Sequence, residues 1–139
     1  MTVNESGKVL VYTGSCAHGQ SHETTLAQIA ADELSVSPED VVVYSRDTDL
    51  VPSGVGTFGS RSAVTAGSVV QQASVSLRER LLALASECLE CPEFDLVLRD
   101  GKVSPKDAPH LGLSFGELAR RARSQPEAPL SRPSDFALE

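Results

Sequence analysis

Residues 8–45 read KVLVYTGSCAHGQSHETTLAQIAADELSVSPEDVVVYS, and this stretch decides the fold. Lys8 to Thr13 (KVLVYT) is a short β-rich run after a glycine, which predicts a strand. From His22 to Leu34 the apolar residues recur at helical spacing, and Val41 to Ser45 (VVVYS) is apolar enough for a second, buried strand. A strand, a helix and a strand in this order are typical of a βαβ unit or its split variant.

The next part of the chain predicts a long loop and a long helix. The loop covers Asp47 to Gly59, and the chain becomes helical from Ser60 until Pro92 ends the helix. Residues at three- and four-residue steps predict one buried face along this helix. They are Val70, Ala73, Leu77, Leu81, Leu84 and Cys88.

A hairpin and a short helix complete the predicted fold. Asp100-Gly101 is a strong turn signal between two short β-rich runs, 96–99 and 102–104. The run from Ser114 to Glu117 is a capping box, which predicts a last helix to about Arg123. The expected class is therefore α+β, with one domain, or a part of a larger one, over residues 1–123. Residues 124–139 carry three prolines and predict a loosely ordered tail.

Composition excludes several classes of protein. The chain has 139 residues, of which 40% are hydrophobic, so it is long and apolar enough to bury a core. The net charge of −7 and an aromatic content of 4% argue against nucleic-acid binding. No apolar run is long enough for a membrane helix, and the first residues lack a signal-peptide pattern. With three cysteines, an odd count, we expect a cytoplasmic protein without a disulfide scaffold.

Gly54 to Gly59 matches the pattern G-x-G-x-x-G, but its context excludes a Rossmann dinucleotide site. Eight residues separate it from the preceding strand, and the acid at the required distance, Glu79, lies within a helix. An anion site is a second interpretation, because a glycine-rich helix start offers free N–H groups. Arg61 is the only charged residue between Leu50 and Leu77. An ordinary serine-capped helix after a flexible loop would leave the same pattern.

Two further motifs favour structural roles. His18 and His22 have a spacing that can bind zinc on a helix, but His18 precedes the predicted helix, so a metal site is disfavoured. Cys88 and Cys91 form a single C-x-x-C without a second pair, at a helix end. We expect no metal ligands in either motif.

Four motifs that occur in order point to a family. They are Gly19-Gln-Ser-His-Glu-Thr-Thr25, Ala27-Gln-Ile-Ala-Ala-Asp-Glu-Leu34, Asp47-Thr48 and Gly56-Thr-Phe-Gly-Ser-Arg-Ser62. Together they resemble the large, molybdopterin-binding subunit of the xanthine dehydrogenase and aldehyde oxidase family. The Gly-Ser-Arg-Ser form is most similar to the carbon monoxide dehydrogenase-like and aldehyde oxidoreductase-like branches. The resemblance spans about Lys8 to Arg123.

The resemblance implies an activity, a cofactor and partners. Family members hydroxylate an aldehyde or an N-heterocycle, or oxidise CO, at a molybdenum held by molybdopterin, with water as the oxygen source. Some carry the cytosine dinucleotide form of the cofactor. Electrons leave through 2Fe–2S clusters to FAD, so the implied partners are the remainder of the large subunit and the subunits with these groups. No nucleic acid or membrane partner is implied.

The resemblance also assigns cofactor-binding residues. Gln20, after Gly19, corresponds to the glutamine that hydrogen-bonds the cofactor. The loop from Thr57 to Ser62 corresponds to the one that wraps the pterin and its phosphate. The residues implied are Gly19, Gln20, Thr57, Gly59, Ser60, Arg61 and Ser62.

The sequence departs from the family in two respects. Ser21 stands where the family usually has the third glycine of Gly-Gln-Gly. The earlier glycine-rich segment and the C-terminal catalytic glutamate of the family have no counterpart here, so no catalytic residue is assigned. We therefore expect a cofactor-binding segment that is inactive alone. A truncated or split gene product without catalysis of its own, and a small anion-binding α+β domain, are the alternatives.

Overall fold

The computed structural model describes residues 1–54 and 56–124, and it has the predicted α+β class. Two three-stranded sheets lie in this part of the chain, with the strand orders β1-β2-β3 and β4-β5-β6. The strands are β1 (Thr2–Val3), β2 (Val9–Tyr12), β3 (Val41–Tyr44), β4 (Leu96–Arg99), β5 (Lys102–Pro105) and β6 (Leu113–Ser114). The helices are α1 (His22–Leu34), α2 (Ser68–Leu89) and α3 (Phe115–Ser124).

The predicted βαβ unit is present. Strands β2 and β3 pair in parallel, with Leu10 opposite Val42 and Tyr12 opposite Tyr44. Helix α1 makes the connection between them and has the predicted bounds. Because the two strands are parallel neighbours, their carboxyl ends lie at the same edge of the sheet. The loops that follow both strands therefore begin side by side.

One hydrophobic core joins the two sheets to the three helices. Its fully buried members come from both halves of the described chain, which makes this part a single packing unit. The largest of them are Val9, Val11, Leu34, Leu81, Val103, Phe115 and Leu118.

The long helix begins later than the sequence predicts. Ser60 has a left-handed backbone, with φ of 53°, so it cannot belong to a right-handed helix. The helical run starts with a π-helical turn at Ala63–Gly67 and continues as α2. A Cβ on Gly67 would lie 3.3 Å from the Ile29 Cδ1 atom, so this turn packs closely against α1.

The buried face of α2 follows the predicted spacing with two exceptions, Cys88, which is only half-buried, and Ala73. Val70, Leu77, Leu81 and Leu84 are buried as expected. Ala73 is only half-buried, and its neighbour Ser74 is fully buried instead. The Ser74 hydroxyl donates to the Val70 carbonyl at 2.8 Å, which removes the cost of burying it.

The hairpin and the last helix are confirmed. Asp100 and Gly101, at the turn between β4 and β5, both have positive φ angles, as this type of hairpin turn requires. At the start of α3 the Ser114 backbone N–H donates to Glu117 at 2.8 Å, and the Glu117 N–H donates back to the Ser114 hydroxyl at 3.3 Å. From residue 125 on, the predicted tail lies outside the described residues.

Among the described residues, no helix combines the length and the apolar composition that a membrane span needs.

Candidate functional site

The first and second loops, residues 13–21 and 45–62, follow the two parallel strands and meet at the edge of the sheet. The Thr57 hydroxyl, in the second loop, donates to the Cys16 carbonyl at 2.8 Å. The His18 Nε2 atom lies 3.3 Å from the Thr57 carbonyl oxygen. The structure thus brings together two motifs that are about forty residues apart in the sequence.

The two loops also cross at a pair of glycines. A Cβ on Gly14 would lie 2.6 Å from the Gly54 Cα, and a Cβ on Gly54 would lie 2.8 Å from the Gly14 Cα. Real side chains do not approach a backbone so closely, so both positions require glycine. The pattern G-x-G-x-x-G includes Gly54 but gives no sign of its packing against Gly14.

Arg46 is a second cation beside these loops, in addition to Arg61. Its Nη2 atom donates to the Ala17 carbonyl at 2.6 Å, which holds the middle of the first loop. Arg46 is not among the residues predicted for the site, since it lies before the stretch between Leu50 and Leu77 in which Arg61 stands out. Its position directly after the predicted strand that ends at Ser45 was the available signal.

Gln20 is exposed on the first loop, and both ends of its amide have partners. The His18 backbone N–H donates to Gln20 Oε1 at 2.7 Å. At the other end, Gln20 Nε2 lies 3.2 Å from His22 Nε2. Gly19 and Ser21, on either side, have φ angles of 120° and 56°. The left-handed backbone of Ser21 gives the physical reason for glycine at this position in the family motif.

The second loop ends in an unusual backbone and a stacked arginine. Gly59 and Ser60 are both left-handed. The Arg61 guanidinium lies 5.2 Å from the centre of the Phe58 ring, within cation–π range. The Arg61 carbonyl accepts from the Thr65 N–H at 2.8 Å, so helical hydrogen bonding starts here.

The donors of this helix start could hold an anion. Within residues 1–54 and 56–124, neither the Ser60 nor the Ser62 hydroxyl has a hydrogen-bond partner. The first N–H groups of a helix have no carbonyl within the helix to bind. Thr57 differs, because its hydroxyl proton is already engaged by Cys16 and only its lone pairs remain.

Glu23 lies in the first turn of α1, directly after the first loop. Its pKa lies below its ordinary value, chiefly because its own backbone N–H donates to the carboxylate. The Ser45 hydroxyl, at 3.2 Å, and the charge of Arg46 lower the pKa further. The bond from Ser45 joins the start of α1 to the beginning of the second loop.

The two cysteines of the C-x-x-C motif lie away from the two loops, beside the hydrophobic core. Cys88 and Cys91 are free thiols that pack at the edge of the core, near the end of α2. Among the described residues, no group of three or more histidine, cysteine, aspartate or glutamate side chains could hold a metal ion.

Comparison with known proteins identifies the fold and the family. A model of the molybdopterin cofactor-binding domain matches residues 1–137. The chain is 43% identical over 104 residues to the 6-hydroxypseudooxynicotine dehydrogenase complex subunit gamma of Paenarthrobacter nicotinovorans, and the match covers 75% of the chain and 13% of that protein. It is 34% identical over 124 residues to the carbon monoxide dehydrogenase large chain of Afipia carboxidovorans, and the match covers 89% of the chain and 15% of that protein.

A solved structure agrees with these matches. The reconstituted CO dehydrogenase from Oligotropha carboxidovorans has a TM-score of 0.76 and 34% identity, over 90% of this chain and 16% of that one. The chain thus spans roughly an eighth to a sixth of the length of the proteins that it matches. The resemblance drawn from the loop motifs is confirmed. The chain belongs to the molybdopterin cofactor-binding domain family, as a partial segment similar to the large subunits of the xanthine dehydrogenase and carbon monoxide dehydrogenase type.

Proposed function

We propose that this chain supplies cofactor contacts in the large subunit of a molybdenum hydroxylase and has no turnover alone. The observation that carries the proposal is the junction of the two loops, where Thr57 bonds Cys16 and Gly14 meets Gly54. Through this junction, the loop that bears Gln20 and the loop that leads to Arg61 form one surface. A complete enzyme would hydroxylate an aldehyde or an N-heterocycle, or oxidise CO, with oxygen from water.

The chemistry of the second loop fits the phosphate of molybdopterin. The N–H groups at the helix start and the hydroxyls of Ser60 and Ser62 are donors, and Arg61 brings a positive charge. Stacking on Phe58 leaves the in-plane N–H groups of this guanidinium available to an anion. The left-handed backbone of Gly59 and Ser60 leads the chain into the helix start. The bond from the Thr57 hydroxyl to the Cys16 carbonyl holds the preceding part of the loop against the first loop.

The first loop fits the less charged part of the cofactor. Gln20 is neutral and exposed, so it can hydrogen-bond a ligand without adding charge beside an anionic group. Gly19, with its φ of 120°, allows the backbone to turn just before this side chain. When bound, molybdopterin would supply the molybdenum chemistry, and the residues of this chain would hold and orient it.

The proposed partners are the remainder of the large subunit and the subunits that carry 2Fe–2S clusters and FAD. Strands β2 and β3 carry apolar side chains on both faces. This composition is typical of parallel strands that are covered on both faces. One face packs into the core, whereas Val42 and Tyr44, on the other, are 37% and 40% exposed. Tyr44 stacks on Tyr12 with ring centres 5.4 Å apart, which extends this apolar face. We assign the face to contact with the remaining polypeptide.

The test is retention of the cofactor under anaerobic conditions. The chain is mixed with molybdopterin released from another molybdenum enzyme, and the retained pterin is measured by fluorescence after gel filtration. We expect Arg61→Ala to lose at least half of the retained pterin. Arg78→Ala, which removes an arginine paired with Glu33 away from the loops, should retain it. Separate mixtures with molybdopterin and with its cytosine dinucleotide form, analysed by mass spectrometry, would show which form is retained.

A negative result has a defined meaning. If neither this chain nor the chain assembled with the rest of a large subunit binds pterin or molybdenum, the proposal is wrong. If only the assembly binds, the loops need the contacts of the remaining polypeptide. Hydroxylation by the isolated chain would contradict the proposed inactivity and leave the assignment of the cofactor unchanged.

A further inference from the structure

We propose that His22 is a positioning residue, which holds the amide of Gln20 so that its NH₂ group faces a bound ligand as a donor. The inference rests on the proposed role of Gln20 as a cofactor contact. It concerns a second residue, whose side chain is buried beneath that contact: His22 is 7% exposed.

The hydrogen bonds of Gln20 fix the direction of its amide. The His18 backbone N–H can only donate, so the atom 2.7 Å from it must be the amide oxygen of Gln20. The NH₂ group of Gln20 therefore lies at the other end, 3.2 Å from His22 Nε2. This group can only donate, so His22 Nε2 must be the acceptor.

The same contact fixes the protonation pattern of His22. A ring nitrogen that accepts carries no hydrogen, so the neutral ring has its hydrogen on Nδ1. Nδ1 is buried and has no hydrogen-bond partner among the described residues. A buried, unpaired N–H destabilises a fold, and an apolar side chain would avoid this cost. Stability therefore does not account for a histidine here, whereas the hydrogen bond to Gln20 does.

Two anchors at opposite ends hold the amide plane of Gln20. With His18 alone, the amide could swing about its oxygen, and the NH₂ group would have no fixed direction. With His22 in place, one of the two hydrogens on Gln20 Nε2 is bonded to His22, and the other is left to donate to a ligand. The ligand atom that this hydrogen recognises must be a hydrogen-bond acceptor.

The test uses nuclear magnetic resonance of the chain without cofactor, so it does not depend on activity. Long-range ¹H–¹⁵N spectra report which ring nitrogen of His22 carries the hydrogen, and we expect Nδ1. Hydrogen exchange of the Gln20 NH₂ group is then compared in wild type, His22→Leu and His22→Gln. We expect exchange in His22→Leu to be faster by roughly two- to tenfold, as the loss of one hydrogen bond allows. The glutamine offers an acceptor near the position of Nε2 and should restore most of the protection.

Two results would overturn the inference. A hydrogen on His22 Nε2 in the wild-type spectrum is incompatible with the proposed bond, even if both variants fail to fold. Equal exchange of the Gln20 NH₂ group in wild type and a folded His22→Leu variant would show that His22 does not hold it. Loss of pterin binding in Gln20→Ala tests the proposed function separately, so the two failures can be told apart.

Discussion

Gly14 and Gly54 lie in direct backbone contact, and a Cβ on Gly14 would meet the Gly54 Cα at 2.6 Å. The two residues belong to different loops, and their contact sets how closely the loops approach. A methyl group at either position would force the loops apart, and with them the surface that we assign to the cofactor.

We therefore expect Gly14→Ala to destabilise the fold by about 1–3 kcal/mol, the usual cost of forcing an extra methyl group into a packed site. Pterin retention should fall in parallel. Chemical denaturation measures the free energy of unfolding. Gly56→Ala is the matched control, because a Cβ there meets nothing within 4 Å. If both variants have the same free energy of unfolding, the contact between Gly14 and Gly54 is not what holds the loops together.

Ser21 has a left-handed backbone, with φ and ψ of 56° and 46°. A side chain is disfavoured in this conformation, so Ser21→Gly should stabilise the fold by about 1 kcal/mol. Ser68→Gly is the opposite control: Ser68 has φ of −64° at the start of α2, and glycine should destabilise that helix. Thermal unfolding compares the two variants. A lower midpoint for Ser21→Gly would show that its side chain makes an overriding contribution.

The capping box of α3 makes stability depend on pH. The hydroxyl and the backbone N–H of Ser114 donate to Glu117 and lower the pKa of this carboxyl below its ordinary value of 4.5. A lowered pKa in the folded state gives a stabilisation that is present above the ordinary value. It is lost as the pH falls through the lowered one. We expect Glu117→Gln to reduce the loss of stability in acid.

Unfolding by denaturant at pH 7 and in acid measures this effect. Glu79→Gln, at an exposed position on α2, is the control and should lose as much stability in acid as the wild type does. At pH 7, Ser114→Ala should cost about 1 kcal/mol, as loss of an N-cap does. Identical pH profiles for wild type and Glu117→Gln would contradict the prediction.

Gln20→Ala should lower turnover of the assembled enzyme without unfolding this domain. The side chain is exposed, and its bonds to His18 and His22 lie within one loop and the adjoining helix start. The far-ultraviolet circular dichroism spectrum and the unfolding midpoint should therefore stay close to those of wild type. Steady-state kinetics of the assembly measure the loss. Unchanged turnover would argue against a contact between Gln20 and the cofactor.

Local patterns predicted most of the fold. The spacing of apolar residues gave the bounds of α1, the Asp100-Gly101 pair gave the hairpin, and the capping box gave α3. Each of these signals lies within a few residues of the element that it specifies. The left-handed backbone of Ser60 was not predictable in this way, because serine does not signal a positive φ.

The site was predictable only as two separate motifs. The resemblance identified Gln20 and the loop from Thr57 to Ser62, but not how they are held. Arg46 bonds the Ala17 carbonyl, and His22 lies beneath Gln20. These contacts depend on where the two loops meet in space. Arg61 is the only charged residue between Leu50 and Leu77, as the sequence shows, and Arg46, just before that stretch, is a second cation that reaches the first loop.

The bond between Thr57 and Cys16 joins residues 41 apart, and it forms where the loops after β2 and β3 meet. The parallel pairing of Tyr12 with Tyr44 already closes most of this stretch and brings the starts of the two loops together. We therefore expect the proposed binding surface to form only where β2 and β3 are paired. Loading of the cofactor then distinguishes a finished domain from a partly folded one, so the ligand would report on the quality of the fold that binds it.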